Sequence, residues 1–175
     1  ALGTELTGRT LQIACVYGDL TTKMQQRLST DARLDIVDIL PVQLANLQRK
    51  LGDDSRIGLI HANSADLPMA SASYERVLLF FLLHEMPEDV RRATLAQALR
   101  MLKPGGQLVI VDYHRPSAAN PLYWPMQAVL RTLEPFAMDL WRQPIETWLP
   151  NEIAPSQIQQ HTVFGGLYQL LTITA

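Results

Sequence analysis

Short apolar runs alternate with helical patterns along most of the chain. Residues 11–17 form a mostly apolar run that reads as a buried first strand, and Thr21 or Thr22 is placed to cap a helix ending near Ser29. Residues 33–38 read as a second strand. Pro41 then suits a first helical position, with Leu44, Leu47 and Leu51 on one apolar face. Residues 57–63 predict a third strand closed by Asp66-Leu67-Pro68. Residues 74–83 predict a fourth, apolar on both faces as a covered strand must be. Pro87-Glu88-Asp89 opens a helix that turns Val90, Leu95, Ala98, Leu99 and Leu102 inward, and Lys103-Pro104-Gly105-Gly106 stops it before a fifth strand at 107–113. Residues 161–166 and 167–174 read as a closing antiparallel pair joined at Gly165-Gly166. Strand–helix alternation of this kind predicts an α/β fold on a mainly parallel sheet.

Composition narrows the function classes. A chain of 175 residues, 47% hydrophobic with mean hydropathy +0.02, fits one domain, residues 1–175, with a real core. The 116–150 segment, rich in Pro, Met and aromatics, reads as an insertion facing substrate or membrane. Fifteen basic against seventeen acidic residues leave a net charge of −2, which argues against nucleic acid as a partner. The longest apolar run, 77–83, is too short to span a bilayer. One cysteine, Cys15, excludes an internal disulfide framework and suits a reducing compartment. No signal peptide or internal repeat is visible, and the start, without Met and close to a strand, reads as trimmed or processed. Oligomeric state leaves no mark on the sequence.

In an open α/β sheet, ligands gather beyond the carboxyl ends of the strands. The residues predicted there are Val16, Tyr17, Gly18 and Asp19; Asp38 and Ile39; Asn63, Ser64 and Ala65; Phe81, His84 and Glu85; and Asp112, Tyr113 and His114. Asp38 follows the first turn by about 20 residues, the spacing of a carboxylate that accepts ribose hydroxyls; a loop acid ahead of Pro41 is the plainer alternative. Asn63 stands where a polar group would read adenine, or forms a simple turn. Tyr17 either faces the reacting end of a bound ligand, beside Asp19, or fills space. His84, Glu85, Asp112 and His114 suit a divalent metal with mixed nitrogen and oxygen ligands, such as Mn(II), or a general base; alternatively they are a helix cap and satisfied loop polars. Trp124, Trp141 and Trp148, with Arg131 and Arg142, suit either a core helix or a greasy substrate and a membrane surface.

Several of these motifs carry a resemblance. Gly18-Asp19-Leu20-Thr21, Asp38, Asp66-Leu67-Pro68 and Leu102-Lys103-Pro104-Gly105-Gly106 resemble the ubiquinone/menaquinone-type C-methyltransferase family. The departures resemble its rhodoquinone-biosynthesis branch, the RquA family: Cys15-Val16-Tyr17-Gly18-Asp19, Phe80-Phe81-Leu82-Leu83-His84-Glu85, Val111-Asp112-Tyr113-His114-Arg115-Pro116, Leu133-Glu134-Pro135-Phe136 and Phe164-Gly165-Gly166-Leu167-Tyr168-Gln169. The resemblance implies a Rossmann-like class I S-adenosylmethionine (SAM) methyltransferase fold: a mostly parallel seven-stranded sheet, an antiparallel closing hairpin and helices on both faces. It also implies an N-terminal helical region that is absent here. The implied reaction moves an amino group from SAM to ubiquinone, with Mn(II) assisting, and replaces a ring methoxy group. The implied place is the cytoplasmic, inner face of a membrane. The first loop of methyltransferases is normally glycine-rich so that bare backbone can approach the donor; here Cys15, Val16 and Tyr17 bring side chains into that space. An ordinary quinone C- or O-methyltransferase, or a SAM-binding subunit without turnover, remains compatible with the residues.

Overall fold

The computed structural model describes residues 4–15, 19–134 and 136–175. Its strands are β1 (Arg9–Ile13), β2 (Arg33–Asp38), β3 (Ile57–His61), β4 (Tyr74–Phe80), β5 (Leu102–Tyr113), β6 (Ile158–Val163) and β7 (Tyr168–Thr174). The helices are α1 (Leu20–Gln25), α2 (Pro41–Leu51), α3 (Glu88–Met101), α4 (Tyr123–Leu133) and α5 (Ala137–Arg142). All seven strands join one sheet in the order β3-β2-β1-β4-β5-β7-β6. The first five pair in parallel, while β7 is antiparallel to both β5 and β6. The chain reverses between β1 and β4, so their carboxyl ends open a crevice at that switch point.

Period-two alternation explains the layers. Val77 and Leu79 of β4, with Leu108 and Ile110 of β5, pack on Leu95, Ala98 and Met101 of α3. The intervening Leu78 and Val109 turn to the other face, where they meet Met24 of α1 and Leu47 and Leu51 of α2. Each such fully buried side chain contributes about 1.5–3 kcal/mol of transfer free energy. The 116–150 segment joins this packing. Leu140, Ile145, Trp148 and Leu149 lie in the main core, and Tyr123, Leu130, Met138 and Trp141 build a smaller core against Leu167.

Several predicted boundaries shift for local reasons. The α1 cap position is Asp19 rather than Thr21 or Thr22; the Thr21 hydroxyl instead donates to the buried Gln12 amide oxygen at 3.0 Å. The third strand stops at His61, because the Asn63 side chain accepts from the Ala65 N–H and turns the chain. The fourth stops at Phe80, where Phe81 adopts φ +51° and Leu83–Glu85 form a 3-10 turn. Helix α3 runs straight into β5 at Leu102, with Gly105 at φ +77°, so Lys103–Gly106 extends the strand instead of preceding it. Hairpin reversal spreads over Phe164, Gly165 and Gly166, all at positive φ.

At the opposite end of the sheet, the Asp35 carboxylate is 2% exposed and accepts from Arg9, Arg33 and the Tyr74 hydroxyl at 2.8, 3.0 and 2.9 Å. Burial pushes its pKa up, but the two guanidinium groups and the phenol outweigh it, and the net shift is downward. A lowered folded-state pKa stabilises the fold above the unfolded carboxylate pKa of about 3.9 and ceases to do so as pH falls through the folded value. Asp35→Ala is therefore expected to cost about 2 kcal/mol in urea denaturation at pH 7, discounted because both arginines are half exposed. The gap from wild type is expected to narrow below about pH 4; a gap of equal size at pH 3 would refute the ionic origin.

Candidate active site

A cavity of about 460 Å³ opens at the switch point, walled by residues that end β1, β2, β4 and β5. Its floor is unusual backbone. Ala14, just past β1, has φ +72°, and Phe81, just past β4, has φ +51°. Left-handed geometry at two non-glycine residues on adjacent strand ends costs energy, and such strain concentrates at ligand sites. Gln12 holds the β1 side in place: its amide donates to the Ala14 carbonyl at 2.9 Å and accepts from Thr21 on α1. Both ends of the first loop thus hang on one buried side chain. Val16, Tyr17 and Gly18, expected to shape this loop, lie outside the described residues.

On the β2 side, Asp38 lines the cavity and ties the loops together. One carboxylate oxygen accepts the Cys15 N–H at 2.7 Å and the other accepts the Leu40 N–H at 2.8 Å. Each oxygen keeps a second lone pair for a ligand hydroxyl. Ile39, more than half exposed, and Leu40 continue the rim. The Cys15 thiol also lines the space. Burial, then the charge of Asp38, push its pKa up to about 12, so it is a neutral wall rather than a nucleophile.

On the β4–β5 side stands a buried histidine–carboxylate pair. His84 Nδ1 lies 2.8 Å from Asp112 Oδ1, and a carboxylate only accepts, so Nδ1 carries the hydrogen and, in the neutral imidazole, Nε2 presents its lone pair. Asp112, fully buried, also accepts the backbone N–H groups of Leu83 at 2.8 Å and Tyr113 at 2.8 Å. Glu85 Oε1 is 3.9 Å from His84 Nε2. Burial is the strongest influence on His84 and disfavours its charged form, but Asp112, Glu85 and Glu134 together outweigh it and raise the pKa above the ordinary 6.5. Burial first, then the neighbouring acids, raise Glu85 against the pull of His84. Phe81, His84 and Tyr113 pack ring edge to ring face, with Tyr168 of β7 behind them.

Not every predicted residue converges here. Asp19 turns outward to an ion pair with Lys50 at 2.8 Å, with its side chain 67% exposed, and does not line the cavity. Asn63 and Ala65 form the turn after β3, and Ser64 bonds Thr94 at 3.0 Å; none of the three lines the cavity either. His114 faces away, with Nδ1 donating to the Gly166 carbonyl at 2.8 Å. The fourfold set of His84, Glu85, Asp112 and His114 is thus divided, and among the described residues no three His, Cys, Asp or Glu side chains gather as metal ligands. Asp112 has its donors in place already, which leaves His84 Nε2 and Glu85 without a third ligand gathered beside them among the described residues. These residues do not fit a Mn(II) centre.

Arg91 escaped the sequence reading. It is fully buried, donates to the carbonyls of Leu83 at 3.1 Å and Met86 at 2.8 Å on either side of His84, and lies 4.2 Å from the Trp148 ring. Its signal was position, since Arg91 falls on the inward stripe of α3 with Thr94, Leu95 and Ala98.

Known proteins agree with this architecture. Residues 10–106 match the methyltransferase domain family, and the chain belongs to that family. An uncharacterized methyltransferase from Synechocystis is 27% identical over 170 residues, covering 95% of this chain and 76% of that protein. The ubiquinone/menaquinone biosynthesis C-methyltransferase of Rhizobium meliloti is 29% identical over 108 residues, and a demethylmenaquinone methyltransferase from Clavibacter sepedonicus is 38% identical over 69. Those matches cover 60% and 39% of this chain, which spans only 41% and 27% of the two proteins. Among solved structures, the N-methyltransferase NodS from Bradyrhizobium japonicum aligns with TM-score 0.67 at 16% identity, over 95% of this chain and 85% of that one. The fold is that of class I SAM-dependent methyltransferases.

The backbone at Ala14 gives a prediction of opposite signs. Ala14→Gly relieves left-handed strain but loosens the unfolded chain, for a net gain of about 0.5 kcal/mol. Ala14→Val, β-branched at φ +72°, is expected to lose roughly 2 kcal/mol. Chemical denaturation of the two variants checks the ordering, and equal stabilities would overturn it.

Proposed function

We propose that the protein is a SAM-dependent transferase acting on the ring of a prenylated quinone, and that the group it delivers to ubiquinone is amino. One observation carries the reading: a single cavity is lined by Asp38 at the β2 end and by His84, held by the buried Asp112, at the β4–β5 end. Asp38 takes the ribose hydroxyls, and Ile39 flanks the nucleoside. Phe81 and Tyr113 bound the acceptor side with aromatic rings. The quinone acceptor is supported by the quinone-biosynthesis relatives, and the amino group by the branch-specific motifs, with Cys15 lining a wall where a glycine would leave backbone bare.

Substituting the donor's amine for a ring methoxy group forms a ring C–N bond, breaks the ring C–O bond and releases methanol. The nitrogen then leaves the donor when the quinone ring takes up the two electrons of the donor's α-C–H bond, giving a hydroquinone imine, and water hydrolyses that imine to an aminohydroquinone and a keto acid. A proton must leave the attacking nitrogen. His84, with Nε2 unprotonated and Asp112 fixing its tautomer, accepts it. Asp112 is a positioning residue, and Glu85 tunes the charge of the pair. Mn(II) has no set of ligands among the described residues, and no step here depends on it.

The prenyl tail and the membrane surface fall to the insertion. Leu122, Val129 and Leu133 share one exposed flank of α4 at helical spacing, near exposed Phe136. Trp124 sits on the other flank, while Trp141 and Trp148 are core residues. Among the described residues no helix is long and apolar enough to cross a membrane, so contact would be peripheral.

Product analysis tests the transferred group. Incubation with SAM labelled at its amino nitrogen and a short-chain ubiquinone is expected to give a labelled aminoquinone by mass spectrometry; an added methyl without label identifies a methyltransferase instead. His84→Ala is expected to lower kcat by roughly 10²–10⁴-fold. Neutral His84 is the active base, so kcat/KM falls as pH drops through its raised pKa. Asp112→Asn removes the group that raises it, moving that acid limb to lower pH while reducing kcat; an unmoved limb would exclude His84 as the base.

A further inference from the structure

A second cavity, of about 220 Å³, lies beyond β5 on the side away from the first. Consecutive residues divide the two: Tyr113 lines the larger and His114 the smaller. The small cavity is walled by His114, Arg115, Trp141, Arg142, Gln160 and Gln169, among others, and no carboxylate lines it. We infer that it is a binding site for a phosphate-type anion.

Three features support this, and Trp141 adds a reporter. Arg115 is held in place, with its guanidinium 3.3 Å from the Tyr123 hydroxyl and 5.9 Å from that ring, and Tyr123 stacks on Trp141 at 5.4 Å. Arginine backed by an aromatic wall is ordered before a ligand arrives and presents forked N–H donors that match phosphate oxygens. Arg142 meets the cavity from α5; Asp139 behind it, 3.3 Å from its Nη1, engages only part of its fork. Trp141 is 4% exposed, and its indole Nε1–H is buried with no hydrogen-bond partner. That unmet donor costs about 1–3 kcal/mol; it is closed to solvent, so the two arginines would hold the anion and the indole ring in the wall would report its arrival. Finally, Gln169 spends its amide N–H on the Tyr113 carbonyl and accepts from Gln160 with its oxygen, so no free acceptor from Gln169 competes with an anion.

The volume is below the roughly 300 Å³ at which drug-sized ligands begin, and it suits a phosphate group alone. Such a group could be a free phosphate or the headgroup of an anionic lipid, since the exposed apolar Leu122, at the start of α4, and Leu133, at its end, belong to the same insertion. The site is separate from the donor cavity and does not depend on the group transferred there.

The test is an NMR titration of the full chain, with the Trp141 indole resonance assigned through Trp141→Phe. At constant ionic strength set by chloride, inorganic phosphate is expected to shift that resonance saturably. Arg115→Gln with Arg142→Gln is expected to weaken binding roughly tenfold or more, since two charge-assisted contacts are removed. Both arginines are exposed, and circular dichroism checks that the double variant is folded. In a second arm, vesicles of phosphatidylcholine with and without phosphatidylglycerol replace phosphate. A response to the anionic vesicles alone, abolished by the same double variant, assigns the site to a lipid headgroup. Silence in both arms, or equal responses in wild type and variant, overturns the inference.

Discussion

The buried carboxylate of Asp112 is the contact on which the rest of the site depends. It sits at the end of a parallel strand pair, where the sheet's own hydrogen bonds run out. In place of that ladder it accepts from Leu83 N–H, Tyr113 N–H and His84 Nδ1. A charge removed from water this completely persists only if its lone pairs are met. Meeting them fixes three things together: where β4 stops, how the 3-10 turn leaves it, and which nitrogen of His84 is left bare. The left-handed Phe81 follows from the same constraint, because its N–H still reaches the Val111 carbonyl at 2.7 Å while the chain bends toward Asp112.

Around that contact the protein separates rigid support from reactive surface. Arg91 braces the turn from below through two carbonyls and the Trp148 ring, and so links α3, the His84 turn and the 116–150 segment in one packed unit. Gln12 does the corresponding work under β1. Both are long polar side chains buried in positions that a hydrophobic pattern would give to Leu or Met. Gln12 is met on both its amide nitrogen and its oxygen, and Arg91 is met through Nε and Nη2 by backbone carbonyls while its buried Nη1 has no partner among the described residues.

The insertion divides its aromatic residues between two tasks. Trp141 and Trp148 anchor it to the sheet, while Trp124 and the Leu122–Val129–Leu133 flank stay outside. Anchored this firmly, the segment forms a fixed wall beside the end of β5, with one cavity on each side of Tyr113 and His114.

The hydrophobic pattern by itself determined the α/β class, the five parallel strands, the closing antiparallel pair and the inward faces of α2 and α3. Those features follow from periodicity, which is a local property of the chain. It also placed Asp38, Phe81, His84 and Asp112 at strand ends, and strand ends in a parallel sheet lie on one edge. Tertiary structure alone decided which of those residues meet. Lys50, on another helix, draws Asp19 outward; the hairpin carbonyl of Gly166 claims His114; and the turn after β3 takes up Asn63. Competing partners of this kind come from distant parts of the chain, so no spacing along it reveals that His84 and Glu85 face one cavity, His114 the other, and Asp112 neither. The buried Arg91 and the orphaned indole of Trp141 are legible only in three dimensions for the same reason, since whether a polar atom is satisfied is a property of what the fold brings to it.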